Sequence, residues 1–145
     1  MTYEFKLTCT LPASPGAVYD AWLDSAEHSA MTGAGAKIVN RVGGACSAWD
    51  GYITGKTVGL IPAKRIVQSW RTTQFAGDDP DSTITVELAP AKTGARLTLI
   101  HSGVPDGQTS YENGGWQDNY FEPMKAYFAR PKTKGRPAGK PPRTV

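Results

Sequence analysis

The sequence is short of the residues that build metal sites and covalent frameworks. Among its 145 residues the only cysteines are Cys9 and Cys46, and the only histidines are His28 and His101. The cysteines lack a Cys-x-x-Cys spacing and the histidines sit in different segments, so no zinc site of ordinary pattern is expected and no metal is assigned. Both thiols are expected to be buried. Long apolar runs are missing too, since none approaches the roughly 20 residues of a membrane span. The opening Met1-Thr2-Tyr3-Glu4-Phe5-Lys6 has neither the charged nor the apolar block of a secretory leader, which gives the cytoplasm as the expected location. There is no Gly-x-Ser-x-Gly nucleophile motif. Gly33-Ala34-Gly35 precedes a strand rather than opening a helix, so it does not cradle a dinucleotide, and no cofactor is expected.

Acidic residues are absent from one end. Residues 129–145 hold Arg130, Lys132, Lys134, Arg136, Lys140 and Arg143 and no acid. The formal charge of the whole chain is +3, but the rest of it carries 10 basic and 13 acidic residues. The folded part is therefore mildly acidic and has no evident face for nucleic acid. The tail lacks a large apolar anchor and is read as a disordered Pro/Gly-rich appendage. This divides the chain into a domain over 1–128 and a tail over 129–145.

What is present is alternation. Over residues 3–11, Tyr3, Phe5, Leu7, Cys9 and Leu11 share one face, as a half-buried strand requires. Ser14 followed by Pro15 marks a helix start, and Val18, Ala21 and Trp22 recur at helical spacing over 15–24. A second short helix is expected over 25–31. Short strands follow over 37–42, 45–49, 52–60, 65–73, 82–88 and 96–102, with Asp50-Gly51 as a hairpin signal. Asp78, Asp79 and Asp81 fall in a polar loop, where Asp forms turns. The period then changes. Thr109 and Glu112 match a capping box, and Trp116, Tyr120, Met124 and Tyr127 form an apolar stripe on a helix over 109–128, flanked by Phe121 and Phe128. Gly114-Gly115 weakens its start. Pro123 removes one backbone hydrogen bond, so a kink is expected near 119–123. The order gives an α+β fold.

Several strings in this order resemble the SRPBCC superfamily, the START-like or helix-grip fold. They are Pro12-Ala13-Ser14-Pro15 leading to Val18-Tyr19-Asp20-Ala21-Trp22, then Val42-Gly43-Gly44, Asp50-Gly51-Tyr52-Ile53-Thr54-Gly55, Ile66-Val67-Gln68-Ser69-Trp70-Arg71, Leu97-Thr98-Leu99-Ile100-His101, and Gly115-Trp116 with Tyr120-Phe121. Within the superfamily the chain looks like the branch named for the activator of the ninety-kilodalton heat-shock-protein ATPase homologue. The resemblance implies a seven-stranded curved antiparallel sheet around a long C-terminal helix, two short helices between strands one and two, and a hydrophobic cavity between helix and sheet. The superfamily includes lipid and sterol carriers, hormone receptors and polyketide cyclases, among which fold alone does not choose.

The aromatic set is the strongest chemical signal. Trp and Tyr offer large apolar faces with one polar handle each, which suits a pocket for a small apolar or aromatic molecule and equally suits a plain core. The expected ligand-binding residues are Trp49, Tyr52, Trp70, Leu99, His101, Trp116, Tyr120 and Met124. Gly55, Gly59 and Ser69 fit either unfilled space or bulges. His101 shares a face with Leu97 and Leu99 and is either a general base or a histidine satisfied by the backbone. His28 is expected on a solvent-facing helix or loop. Arg71 points away from Trp70, toward solvent or as a carboxylate anchor.

Three functions follow. The first is binding of a small hydrophobic or aromatic ligand, lipids included. The second is a polyketide cyclase or hydratase using the same cavity, with His101, Tyr52 and Tyr120 as proton-moving candidates. The third is chaperone-ATPase regulation, although the known activators carry a further domain before this one and the first strand here starts at Tyr3. An exposed edge strand gives a possible homodimer.

Overall fold

The computed structural model describes residues 2–108 and 111–129. Thr109 of the expected capping box and the basic tail from residue 130 lie outside them. The strands β1 (Thr2–Leu11), β2 (Lys37–Ile38), β3 (Ala45–Ala48), β4 (Ile53–Ile61), β5 (Arg65–Thr72), β6 (Ser82–Ala91) and β7 (Gly94–Pro105) form one antiparallel sheet. Its order is β1-β7-β6-β5-β4-β3-β2. Two helices, α1 (Pro15–Leu23) and α2 (Ser25–Thr32), fill the connection from β1 to β2. Ser14 caps α1 by accepting from Ala17 N at 3.2 Å, and Asp24 caps α2 by accepting from Glu27 N at 2.8 Å.

The C-terminal helical segment is not uniform. A π-helical turn at Tyr111–Gly115 leaves helical geometry at Asn113 and at Gly114, whose φ is 117°. A second π-helical turn occupies Gln117–Phe121, with Glu122 N–H donating to Gln117 C=O. Regular helix α3 (Glu122–Ala129) follows. Pro123 has no N–H to offer Asn119, and the chain widens its turn just ahead of it.

Ends and faces depart from the sequence reading in definite places. The strand expected over 37–42 stops at Ile38, because Val39 to Gly44 turn back through Gly43, with φ 85°. β4 carries one extra residue between Thr57 and Gly59, which pushes Val58 outward. Gly55 marks a close approach rather than spare room: a Cβ there would lie 1.9 Å from Ser69 O. Lys56 N–H donates to Ser69 Oγ at 2.8 Å in place of a ladder carbonyl.

The core lies between the concave face and the helices. Ile66, Ile84, Val86, Leu97 and Leu99 come from the sheet, Leu11 from β1, Trp22 and Leu23 from α1, and Phe121 and Met124 from the C-terminal segment. Arg71 faces away from Trp70, as alternation requires. Its guanidinium donates to Ala76 O at 2.7 Å and Asp79 O at 2.6 Å, pairs with Asp81 at 3.3 Å, and lies over the Phe75 ring. It therefore ties down the loop after β5.

Candidate functional site: an aromatic recess

Five of the expected site residues meet around one recess of about 330 Å³: Trp49, Tyr52, Trp70, Trp116 and Tyr120. Leu99, His101 and Met124 lie fully buried behind it and do not line it. The wall is completed by Ile53, Thr72, Tyr111, Gly115 and Asn119, which sequence reasoning missed. Ile53 and Thr72 had a legible signal: they are paired across β4 and β5 at the end where Trp70 points inward. Gly115 and Tyr111 had none, because their position depends on the π-helical turn.

Trp70 and Trp116 meet with ring centroids 4.8 Å apart, and Trp116 and Tyr120 at 5.0 Å. Trp49 and Tyr52 come from the turn between β3 and β4, where Trp49 and Asp50 adopt φ of 54° and 58°. Asp50 holds that turn, its carboxylate accepting from Gly35 N at 2.8 Å and its own N–H donating to Gly35 O at 2.9 Å. A Cβ on residue 35 would lie 2.7 Å from Asp50 Oδ1, which accounts for glycine there.

Two hydrogen-bond chains lock the floor. An indole N–H can only donate. Trp116 Nε1–H donates to His101 Nδ1 at 3.2 Å, so the ring proton sits on Nε2. That proton goes to Ser82 Oγ at 2.9 Å, and Ser82 donates to Trp70 O at 2.6 Å. Thus His101 is satisfied by side chains, not by backbone. Both its nitrogens are engaged, and burial pushes its pKa down to about 3.

The second chain corrects the expectation for His28, which is 2% exposed and faces the interior. Its Nδ1 donates to Trp22 O at 2.8 Å, and its Nε2 accepts from the Tyr120 hydroxyl at 2.9 Å. Burial lowers its pKa. The missed signal was helical spacing, since His28 and Met31 share the inward face of α2. Beside it, Trp22 Nε1–H donates to Gln68, which donates to Thr57.

Among the described residues, no lining side chain carries a charge at neutral pH. Burial raises the Tyr111 and Tyr120 phenols, keeping them protonated. Trp70 Nε1 is the buried side-chain nitrogen or oxygen left without a hydrogen-bond partner among the described residues. The Tyr111 hydroxyl lies beside this indole, but no bond of accepted geometry forms. Such an orphan costs about 1–3 kcal/mol.

A wider hollow of about 870 Å³ lies beside the start of α1, lined by Ile61, Leu88, Pro90 and the charged Lys64, Arg65, Glu87 and Arg96. It is larger, but it has no aromatic wall and its charges are set for solvent. Among the described residues no group of His, Cys, Asp and Glu could hold a metal. No helix among them is long and apolar enough to cross a membrane.

A curved seven-stranded sheet closed by two short helices and a C-terminal helix defines a START-like, helix-grip protein of the SRPBCC superfamily. More narrowly, the chain belongs to the family of activator of Hsp90 ATPase homolog 1-like proteins, whose family model matches residues 12–129. It is 33% identical over 128 residues to an uncharacterized protein of Schizosaccharomyces pombe, covering 88% of this chain and 38% of that one. It is 28% identical to the human activator of 90 kDa heat shock protein ATPase homolog 1, covering 88% of this chain and 37% of that one. The chain thus spans little more than a third of these curated relatives. Among solved structures, an HSP90 activator from Plasmodium falciparum is similar with a TM-score of 0.80 at 24% identity, covering 90% of this chain and 99% of that one. A Chromobacterium violaceum protein follows at 0.71 and 28%, covering 89% and 99%.

Proposed function

We propose that the recess binds a small hydrophobic or aromatic molecule. The observation that carries this reading is an uncharged recess of about 330 Å³ walled by three tryptophans and three tyrosines. That volume is at the small end of the roughly 300–1,000 Å³ found for ligand pockets. A cyclase or hydratase needs a group that moves protons at the substrate. The recess offers only phenols, two of them raised by burial, and His101 has no free nitrogen. Binding without turnover is therefore the better-supported use of the cavity.

The test is native mass spectrometry of the intact chain against a library of aliphatic and aromatic compounds. One-to-one adducts with flat apolar compounds are expected. Their complete absence would remove this reading.

Family membership favours a second reading, regulation of a heat-shock chaperone ATPase. Its check is the ATPase rate of purified 90-kDa chaperone with and without this chain. Stimulation would assign the chain to that role, whatever the recess holds.

A further inference from the structure

We propose that the recess selects an uncharged, flat molecule bearing one hydrogen-bond acceptor, such as an aryl ketone, and that Trp70 Nε1–H is the donor that reads it. This rests on the ligand-binding reading above and adds the chemistry of the ligand.

Trp70 is 6% exposed and forms part of the recess wall, yet its N–H ends on no acceptor. The other indoles of the floor do better: Trp116 donates to His101 and Trp22 to Gln68. A buried donor left open inside an otherwise satisfied aromatic cluster is a place for a partner from outside. The group standing over it is Tyr111, whose hydroxyl is itself turned toward Gln108 at 3.4 Å. Tyr111 belongs to the turn whose backbone departs from helix at Asn113 and Gly114. A carbonyl oxygen entering beside Trp116 would replace the poorly aligned phenol.

Charge selection follows from the lining. With no cation in the wall among the described residues, a carboxylate would lose its hydration and gain only neutral donors. An apolar hydrocarbon would fit but would leave the indole open. The preferred ligand lies between these.

The probes are 2-acetylnaphthalene, 2-ethylnaphthalene and 2-naphthoate, which share a ring system and differ in acceptor and charge. Affinities are measured by calorimetry, and the Trp70 indole N–H is followed by proton–nitrogen correlation NMR. The ketone is expected to bind about tenfold more tightly than the ethyl compound, a step of about 1.4 kcal/mol. It should also shift the Trp70 indole proton downfield, whereas the ethyl compound should not. Trp70→Phe should bring the two affinities within about twofold. If that variant does not fold, the indole shift in the native protein decides alone. Equal affinities without an indole shift would overturn the acceptor claim and leave the pocket standing. Tighter binding of 2-naphthoate would overturn the claim of an uncharged ligand. Failure of all three to bind would overturn the pocket reading and this one with it.

Discussion

His101 and Trp116 constrain each other because an indole has only a proton to give and a neutral imidazole has one acceptor to receive it. His101→Leu keeps the volume roughly apolar but strands the Trp116 N–H. The expected cost is about 1–3 kcal/mol in urea unfolding followed by fluorescence. A change below about 0.5 kcal/mol would mean the bond contributes nothing. The same residue gives the protein an acid limit. The unfolded chain takes up the imidazole proton near pH 6.5, whereas the folded one resists it down to about 3. Folding is thus fully favoured by this group above about pH 6.5 and loses about 1.4 kcal/mol per pH unit as the pH falls below that. His28 acts in the same direction. In His101→Gln that share of the slope disappears, so its stability should approach the native value as pH drops from 7 to 4. Parallel curves would contradict the assignment.

At the scale of elements, the backbone of β5 at Ser69 comes so close to residue 55 of β4 that only glycine fits there. Gly55→Ala must part the strands beside Trp70. It should destabilise by about 1–3 kcal/mol, the usual cost of overpacking, read as a lower urea midpoint. An unchanged midpoint would mean the backbone yields freely there. The elements also show what sequence could carry. Strands were readable wherever side chains alternate, as in β1, β5 and β7, because one buried face leaves a period of two. The inward set Leu97, Leu99 and His101 emerged this way, and all three are fully buried. The end of β2 was not readable, since Val39 and Val42 look like strand while Gly43-Gly44 turn the chain. Nor was the form of the C-terminal segment. Pro123 announces a disturbance, but whether the helix bends or widens depends on what packs against it. That outcome brings Tyr111 and Gly115 to the recess wall, so those two residues escaped notice.

For the whole molecule, the helix grip leaves a recess between the β3–β4 turn, β5 and the C-terminal segment, beside a fully buried core. Leu99 and Met124 were expected in the site because Leu99 shares a face with His101 and Met124 shares a stripe with Trp116 and Tyr120. Both are fully buried, and the recess opens instead at Trp70, Trp116 and Tyr120. Alternation tells inward from outward, but not which inward positions remain unopposed. Binding to the folded state alone stabilises by mass action, about 2.7 kcal/mol at a hundred times the dissociation constant. A bound library compound should therefore raise the melting temperature by several degrees in proportion to the logarithm of its concentration. A hit that leaves the melting temperature unmoved is not bound to the fold.

The most direct test is a crystal structure of the chain with its tightest-binding compound. The compound is expected between Trp70, Trp116 and Tyr120, with Trp49 and Tyr52 at the mouth. Density for it in the hollow beside Ile61, Pro90 and Arg96, or only on the outer face of the sheet, would contradict the account.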